Sequence, residues 1–106
     1  MATHPGGLTY ALLANVTPNV KVLKVSWKDG DTCYEPTVEN VYAHKYPFSR
    51  FVYIYVNKAP GKSLDPKIKE FLKLVLSKEG QQVVADERVF IPLQPEVVKE
   101  ELKKLD

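Results

Sequence analysis

The sequence is poor in the residues that carry catalytic and metal chemistry, with one cysteine, two histidines and one tryptophan among 106 residues. Cys33 alone excludes an intrachain disulfide. As a nucleophile it would need a placed base, and a half-buried structural thiol is the simpler interpretation. His4 and His44 lie too far apart in the sequence for a metal-ligand spacing. We therefore predict a protein that is not an enzyme, with no catalytic residue, no metal site and no cofactor.

Strong charge of one sign is also missing. The net charge of +2 is too small to indicate a nucleic-acid surface by itself. A basic, aromatic corner is the candidate for a nucleic-acid stacking platform, but Glu39 beside it counts against that role. The corner consists of Tyr42, His44, Lys45, Tyr46, Phe48 and Arg50. We predict no nucleic-acid partner.

Long apolar runs are absent as well, since none reaches membrane-spanning length. Residues 1–20 lack a basic region followed by an apolar stretch, so we expect no signal peptide in this chain. The length predicts a single domain over residues 1–106 with a modest hydrophobic core.

Four segments have the composition of β-strands, at residues 8–13, 20–27, 50–57 and 88–93. The second alternates apolar and polar residues, as a half-buried strand does. The third is apolar on both faces, which is typical of a sheet with helices on both sides. Its apolar residues are, in order, Phe51, Val52, Tyr53, Ile54, Tyr55 and Val56.

Helix-start signals lie between these segments. Thr37 is the predicted N-cap of a short helix over residues 37–45, and Pro47 prevents that helix from continuing. Asp65 followed by Pro66 starts the clearest helix.

Two further helices follow in the sequence. Ser77 is the predicted cap of a helix over residues 78–85, and Pro95 opens a last one. Strand-like and helical segments then alternate along much of the chain, so we predict an α/β fold in which a mixed sheet is flanked by helices.

Five short motifs follow one another at natural spacing and together resemble a known family. They are Pro36-Thr37 with Glu39-Asn40-Val41, Lys45-Tyr46-Pro47 with Arg50, YIYVNK at 53–58, FLKLVLSKEGQQVV at 71–84, and Ile91-Pro92-Leu93. In this order they resemble motifs in the C-terminal segment of the phosphate ABC-transporter substrate-binding proteins, the periplasmic phosphate-binding proteins. A sixth stretch, PGGLTY at residues 5–10, weakly resembles a strand of the same family. The chain departs from the family pattern at Thr9 in that stretch, and at Phe51 and Phe90, where glycine, proline and tyrosine are usual.

This resemblance implies a fold and a function. Family members have the type II periplasmic-binding fold, in which two lobes close on an anion at a hinge. The resemblance covers the last third of such a protein and makes this chain part of one lobe. It implies non-catalytic capture of inorganic phosphate, delivery to an ABC-transporter permease, and a periplasmic or other extracytoplasmic location.

Within the family, the corner with Tyr46, Pro47 and Arg50 carries the chain between the lobes, so we expect these three residues at the hinge. Most phosphate contacts of the family come from helix N-termini outside the matched segment. No residue of this chain is therefore assigned to phosphate, and its phosphate-binding residues are unknown.

A part of a lobe exposes apolar surface that a partner can cover. We expect a homo-oligomer, with or without exchanged elements, or assembly with an N-terminal partner segment. The alternative function is a structural or interaction module derived from this family, without anion binding of its own.

Overall fold

The computed structural model describes residues 3–106 and divides the chain into two compact units, Met1–Phe51 and Val52–Asp106. Whether residues 1–106 act as a single domain stays a prediction, and the first two residues of that range lie outside the described part. Among the described residues, no helix combines the length and apolar character needed to span a membrane.

The first unit has little regular secondary structure. A 3-10 helix spans Leu13–Asn15 and a helix, α1, spans Val38–Tyr42. An isolated antiparallel bridge joins Val25 and Tyr34 through two backbone hydrogen bonds of 3.0 and 2.8 Å. The turn inside this bridge contains Gly30 at φ 83°, a conformation that glycine adopts without steric cost.

The start of α1 is confirmed and its end is earlier than predicted. The Thr37 hydroxyl accepts a hydrogen bond from the Asn40 N–H at 3.2 Å, as an N-cap does. The helix stops at Tyr42 rather than Lys45, because His44 turns into the left-handed region with φ 54°.

The second unit is built from three helices: α2 at Pro66–Leu76, α3 at Lys78–Glu87 and α4 at Pro95–Lys103. The predicted start of α2 is confirmed, since the Asp65 carboxylate accepts from the backbone N–H groups of Lys67 and Ile68. The predicted cap of α3 is confirmed at Ser77, whose hydroxyl oxygen accepts from the Gly80 N–H at 3.1 Å.

The core of the second unit is small. α2 packs against both α3 and α4. Leu64, just before α2, and Leu72 on it are the buried hydrophobic side chains of the described chain, 6% and 8% exposed. Phe71, which the same helical spacing would place toward the core, remains 59% exposed.

The predicted mixed sheet, and with it the α/β class, is wrong for residues 3–106. The bridge between Val25 and Tyr34 is the β-pairing found there, and residues 50–57 and 88–93 have no regular secondary structure. A strand needs a neighbour to pair its backbone N–H and C=O groups. The side-chain pattern of a segment shows which environment the segment suits. It does not ensure that a neighbouring strand is present.

Much apolar surface stays accessible as a result. The chain exposes 9288 Å², whereas two separate globules of about 6 kDa each would together expose about 7,200 Å². The largest continuous contribution is residues 51–56, here called the apolar segment, whose six side chains are between 40% and 89% exposed. Contiguous apolar surface of this extent is uncommon on monomeric soluble proteins.

Candidate functional site

Asn40 joins the chain before α1 to the chain after it. Its backbone carbonyl accepts from the N–H groups of Lys45 at 2.9 Å and Tyr46 at 3.2 Å. Its side-chain amide donates to the Glu35 carbonyl oxygen at 3.0 Å. The loop that follows α1 is thereby tied to the segment that precedes it. This anchoring role is visible only in three dimensions, although Asn40 belongs to one of the motifs of the resemblance.

The three predicted hinge residues lie on the loop held by Asn40. Tyr46 and Pro47 are half-buried, and Arg50 is exposed. The Tyr46 ring meets Phe48 edge-on, with ring centroids 6.2 Å apart. The Ser49 hydroxyl donates to the Tyr46 carbonyl oxygen at 3.2 Å. Tyr46 and Pro47 therefore share one turn, and the hinge role of these residues stays a prediction.

A shallow hollow of about 360 Å³ lies beside this loop. It is lined by Trp27, Asp31, Thr32, Tyr34, His44 and Lys45. The Trp27 indole N–H donates to the His44 carbonyl oxygen at 3.3 Å. The Lys45 ammonium sits 5.7 Å from the centroid of the Tyr34 ring, within the range of a cation–π contact.

The sequence indicated the residues on one side of this hollow but not those on the other side. His44 and Lys45 belong to the basic, aromatic corner. Trp27 lies in the predicted strand of residues 20–27, and no role is predicted for Tyr34. Trp27 meets the corner at its contact with His44, 17 positions later in the sequence. No local periodicity signals such a contact.

The N-termini of α2 and α3 offer no open cradle for an anion. At α2, the Asp65 carboxylate already accepts from the free backbone N–H groups. At α3, Ser77 holds the Gly80 N–H. A hydrogen bond from its own backbone N–H lowers the pKa of Glu79, so this end of α3 also carries a negative group. A phosphate would meet a carboxylate at either helix.

The cysteine and histidine predictions have separate outcomes. Cys33 is exposed, so its interpretation as a half-buried thiol is wrong. His4 is exposed, and His44 takes part in the hollow. Across residues 3–106, no three side chains among His, Cys, Asp and Glu group as metal ligands do.

Known proteins match this chain over most of its length. A model of the PBP superfamily domain matches residues 2–79. The phosphate-binding protein PstS of Pseudomonas aeruginosa is 44% identical over 99 residues, which cover 93% of this chain and 30% of that protein. Phosphate-binding protein PstS 2 of Streptococcus agalactiae is 32% identical over 93 residues, which cover 88% of this chain and 28% of that protein. The chain thus spans about 30% of the length of the curated relatives it matches.

Proposed function

This chain belongs to the PBP superfamily and, within it, to the phosphate ABC-transporter substrate-binding proteins, and from that premise we propose that it is the C-terminal segment of a phosphate-binding protein. The parent function is non-catalytic capture of inorganic phosphate outside the cytoplasm and delivery to the permease of an ABC transporter. The observation that carries this proposal is the 44% identity to PstS over 93% of the chain.

The phosphate ligands of such a protein lie mostly in the remaining part of its length. The geometry of the second unit supports this division, because Asp65 and Glu79 place carboxylates at the N-termini of α2 and α3. A phosphate needs free N–H donors there. The chain by itself therefore binds phosphate weakly or not at all, and binding requires the complementary part of the protein.

The apolar segment is the proposed contact with that complementary part. Its six residues are between 40% and 89% exposed. Three of them are aromatic, and aromatic side chains contribute strongly to interfaces. An N-terminal partner segment would cover the apolar segment in the assembled protein, and a second copy of the chain would do so in its absence.

Tyr46, Pro47 and Arg50 remain the proposed hinge of the assembled protein. The attachment of Tyr46 to Asn40 supports this role, because a hinge needs one end held while the other changes its backbone angles.

The test is complementation. The part of Pseudomonas aeruginosa PstS that lies outside its 99 matched residues is co-refolded with this chain, and phosphate is titrated in by calorimetry, with sulfate as the control anion. We expect saturable phosphate heat from the assembly, no sulfate response, and no phosphate heat from either piece alone. Light scattering on the same samples reports the mass of each species.

The second candidate is an interaction module without anion binding, and the exposed apolar segment favours it. It predicts a stable homo-oligomer and no phosphate heat even after co-refolding. A complex of both pieces that forms with the expected mass but ignores phosphate would overturn the proposal and leave this candidate. Saturable phosphate heat from the chain alone would contradict the assignment of the ligands to the complementary part.

A further inference from the structure

Two opposite charges line the hollow of the first unit without pairing with each other. Asp31 and Lys45 are both among the residues that line the hollow. Within the described chain, no ion pair joins them, and none engages either of them elsewhere. Among residues 3–106, the Lys45 ammonium lies over the Tyr34 ring, 5.7 Å from its centroid.

The walls that carry these charges are held in place by the backbone. Tyr34 is fixed by its two hydrogen bonds with Val25, and the Lys45 N–H is held by the Asn40 carbonyl. The Trp27 indole is oriented by its bond to the His44 carbonyl oxygen. A ligand entering the hollow would therefore need to order little backbone, which lowers the cost of binding.

The charge pattern selects the class of ligand. A simple anion would be attracted by Lys45 and repelled by Asp31, and a simple cation would experience the reverse. A molecule that carries both charges can interact favourably with both groups. Thr32 and His44 add hydrogen-bonding side chains, and the two aromatic side chains offer apolar area to the remainder of the ligand.

We propose that this hollow binds a free α-amino acid with an apolar or aromatic side chain, as its zwitterion. Asp31 receives the ammonium group, Lys45 receives the carboxylate, and the side chain lies against Trp27. The volume of about 360 Å³ is at the lower end of the range for small-molecule sites, roughly 300–1,000 Å³. This site is separate from the proposed phosphate function, and either proposal can fail alone.

The chain provides its own reporter. Trp27 is its single tryptophan, so fluorescence excited at the red edge of the indole band comes from the hollow alone. L-phenylalanine, which does not absorb there, is titrated into the full chain. We expect a saturable change in intensity or emission maximum at millimolar concentration.

Three analogues separate the contributions of the two charges. N-acetyl-L-phenylalanine keeps the carboxylate, L-phenylalanine amide keeps the ammonium group, and N-acetyl-L-phenylalanine amide keeps neither. We expect each singly charged analogue to bind about fivefold more weakly than L-phenylalanine, since an exposed charge pair contributes up to about 1 kcal/mol. The uncharged analogue should bind most weakly of all.

Matched variants locate the two contacts. Asp31→Asn should weaken L-phenylalanine about fivefold and leave the amide analogue no better than the uncharged one. Lys45→Gln should do the same for the acetyl analogue. Asp29→Asn and Lys28→Gln, in the same turn as Asp31 but outside the hollow, should leave the affinity unchanged.

Several results would overturn the proposal. One is an absence of saturable change both in Trp27 fluorescence and in the backbone amide shifts of residues 25–46 measured by NMR. Equal affinity for L-phenylalanine and its uncharged analogue is another. A third is an equal loss in Asp29→Asn and Asp31→Asn. The amide shifts also show whether each variant is folded, and Lys45→Gln tests the opposite wall should Asp31→Asn not fold.

Discussion

The side-chain oxygen of Gln81 accepts a hydrogen bond from the Leu93 N–H at 2.7 Å, and its amide nitrogen donates to the Val75 carbonyl at 2.9 Å. One half-buried side chain on α3 thus ties the end of α2 to the segment that leads into α4. Ser77 acts beside it, donating to the Leu74 carbonyl at 2.7 Å while it caps α3. The run SKEGQ at residues 77–81 therefore has a structural explanation in this chain.

Replacing Gln81 by alanine should lower the free energy of unfolding of the helical unit by about 2 kcal/mol. Two hydrogen bonds of about 1 kcal/mol each are lost, and the Leu93 N–H and Val75 carbonyl are left without their partner. Urea unfolding followed by far-ultraviolet circular dichroism measures the change. Gln82→Ala is the control, because Gln82 only donates to Asp86 on an exposed helix face. A change there should stay within about 0.5 kcal/mol, and equal losses in the two variants would contradict the bridging role.

Replacing Gly80 by alanine should also destabilise, although alanine is the better helix former by about 1 kcal/mol. A Cβ at this position would lie 2.7 Å from the Val75 carbonyl oxygen and closer still to the Leu74 carbonyl oxygen. These are backbone atoms at the end of α2 and cannot swing aside, so we expect a loss of about 1–3 kcal/mol in urea unfolding. Lys78→Ala, two positions earlier on α3, should be nearly neutral. A Gly80→Ala variant more stable than the original protein would contradict the close approach of α3 to the end of α2 at this position.

The helices could be predicted from the sequence because their signals are local. A cap and the N–H group it satisfies are two or three residues apart, so Thr37, Asp65 and Ser77 identified the starts of α1, α2 and α3 correctly. The helix ends were less predictable. α1 stops early, before His44, and α3 runs to Glu87, before Arg88. His44 and Arg88 both adopt the left-handed conformation, and neither residue type predicts it.

The strands and the hollow could not be predicted in the same way. A strand depends on a partner distant in sequence, and the continuous apolar pattern of residues 51–56 does not identify one. The hollow depends on Trp27 meeting His44 and on Lys45 meeting Tyr34. In both contacts the partners lie on different segments, so the residues of the corner indicated only half of the site.

Arg88→Gly should stabilise the helical unit by about 0.5–1 kcal/mol. Arg88 follows the last residue of α3 with φ 54°, the position and conformation for which glycine is preferred. Arg88→Ala keeps the Cβ and its strain, so it should give no gain. Thermal unfolding of the two variants side by side gives the comparison. A lower midpoint for the glycine variant would mean that the Arg88 side chain contributes more than its backbone strain costs.

Asp65→Ala should cost about 1 kcal/mol, because the carboxylate oxygen that accepts from the Lys67 N–H at 2.8 Å is removed. Asp65→Asn keeps an acceptor in the same place and should retain most of the stability. Ser63→Ala, two residues earlier and outside the helix, is the matched control for urea unfolding. If the asparagine variant lost as much as the alanine variant, the charge rather than the hydrogen bond would be the source of the stability.

Acid should weaken the helical unit through two carboxylates. The hydrogen bond and the charge of Lys69 lower the pKa of Asp106 below its ordinary 3.8. A hydrogen bond from its own backbone N–H lowers the pKa of Glu79 below its ordinary 4.5. A carboxyl group whose pKa is lower in the folded state stabilises the fold above the unfolded pKa. That stability is lost as the pH falls through the folded pKa.

The free energy of unfolding should therefore fall as the pH drops from about 4.5 through the folded values of both groups. Asp106→Asn and Glu79→Gln should each reduce this slope, because an amide does not titrate.

Salt separates the contributions of the two carboxylates. The Lys69–Asp106 ion pair joins α2 to Asp106 at 2.9 Å. Screening at 1 M salt weakens this exposed ion pair. Screening acts less on the hydrogen bonding of Glu79 within its own helix turn. Urea unfolding between pH 2 and 6, at low and high salt, should then show a salt-sensitive part that disappears in Asp106→Asn. A slope that neither variant reduces would assign the acid sensitivity to other carboxylates.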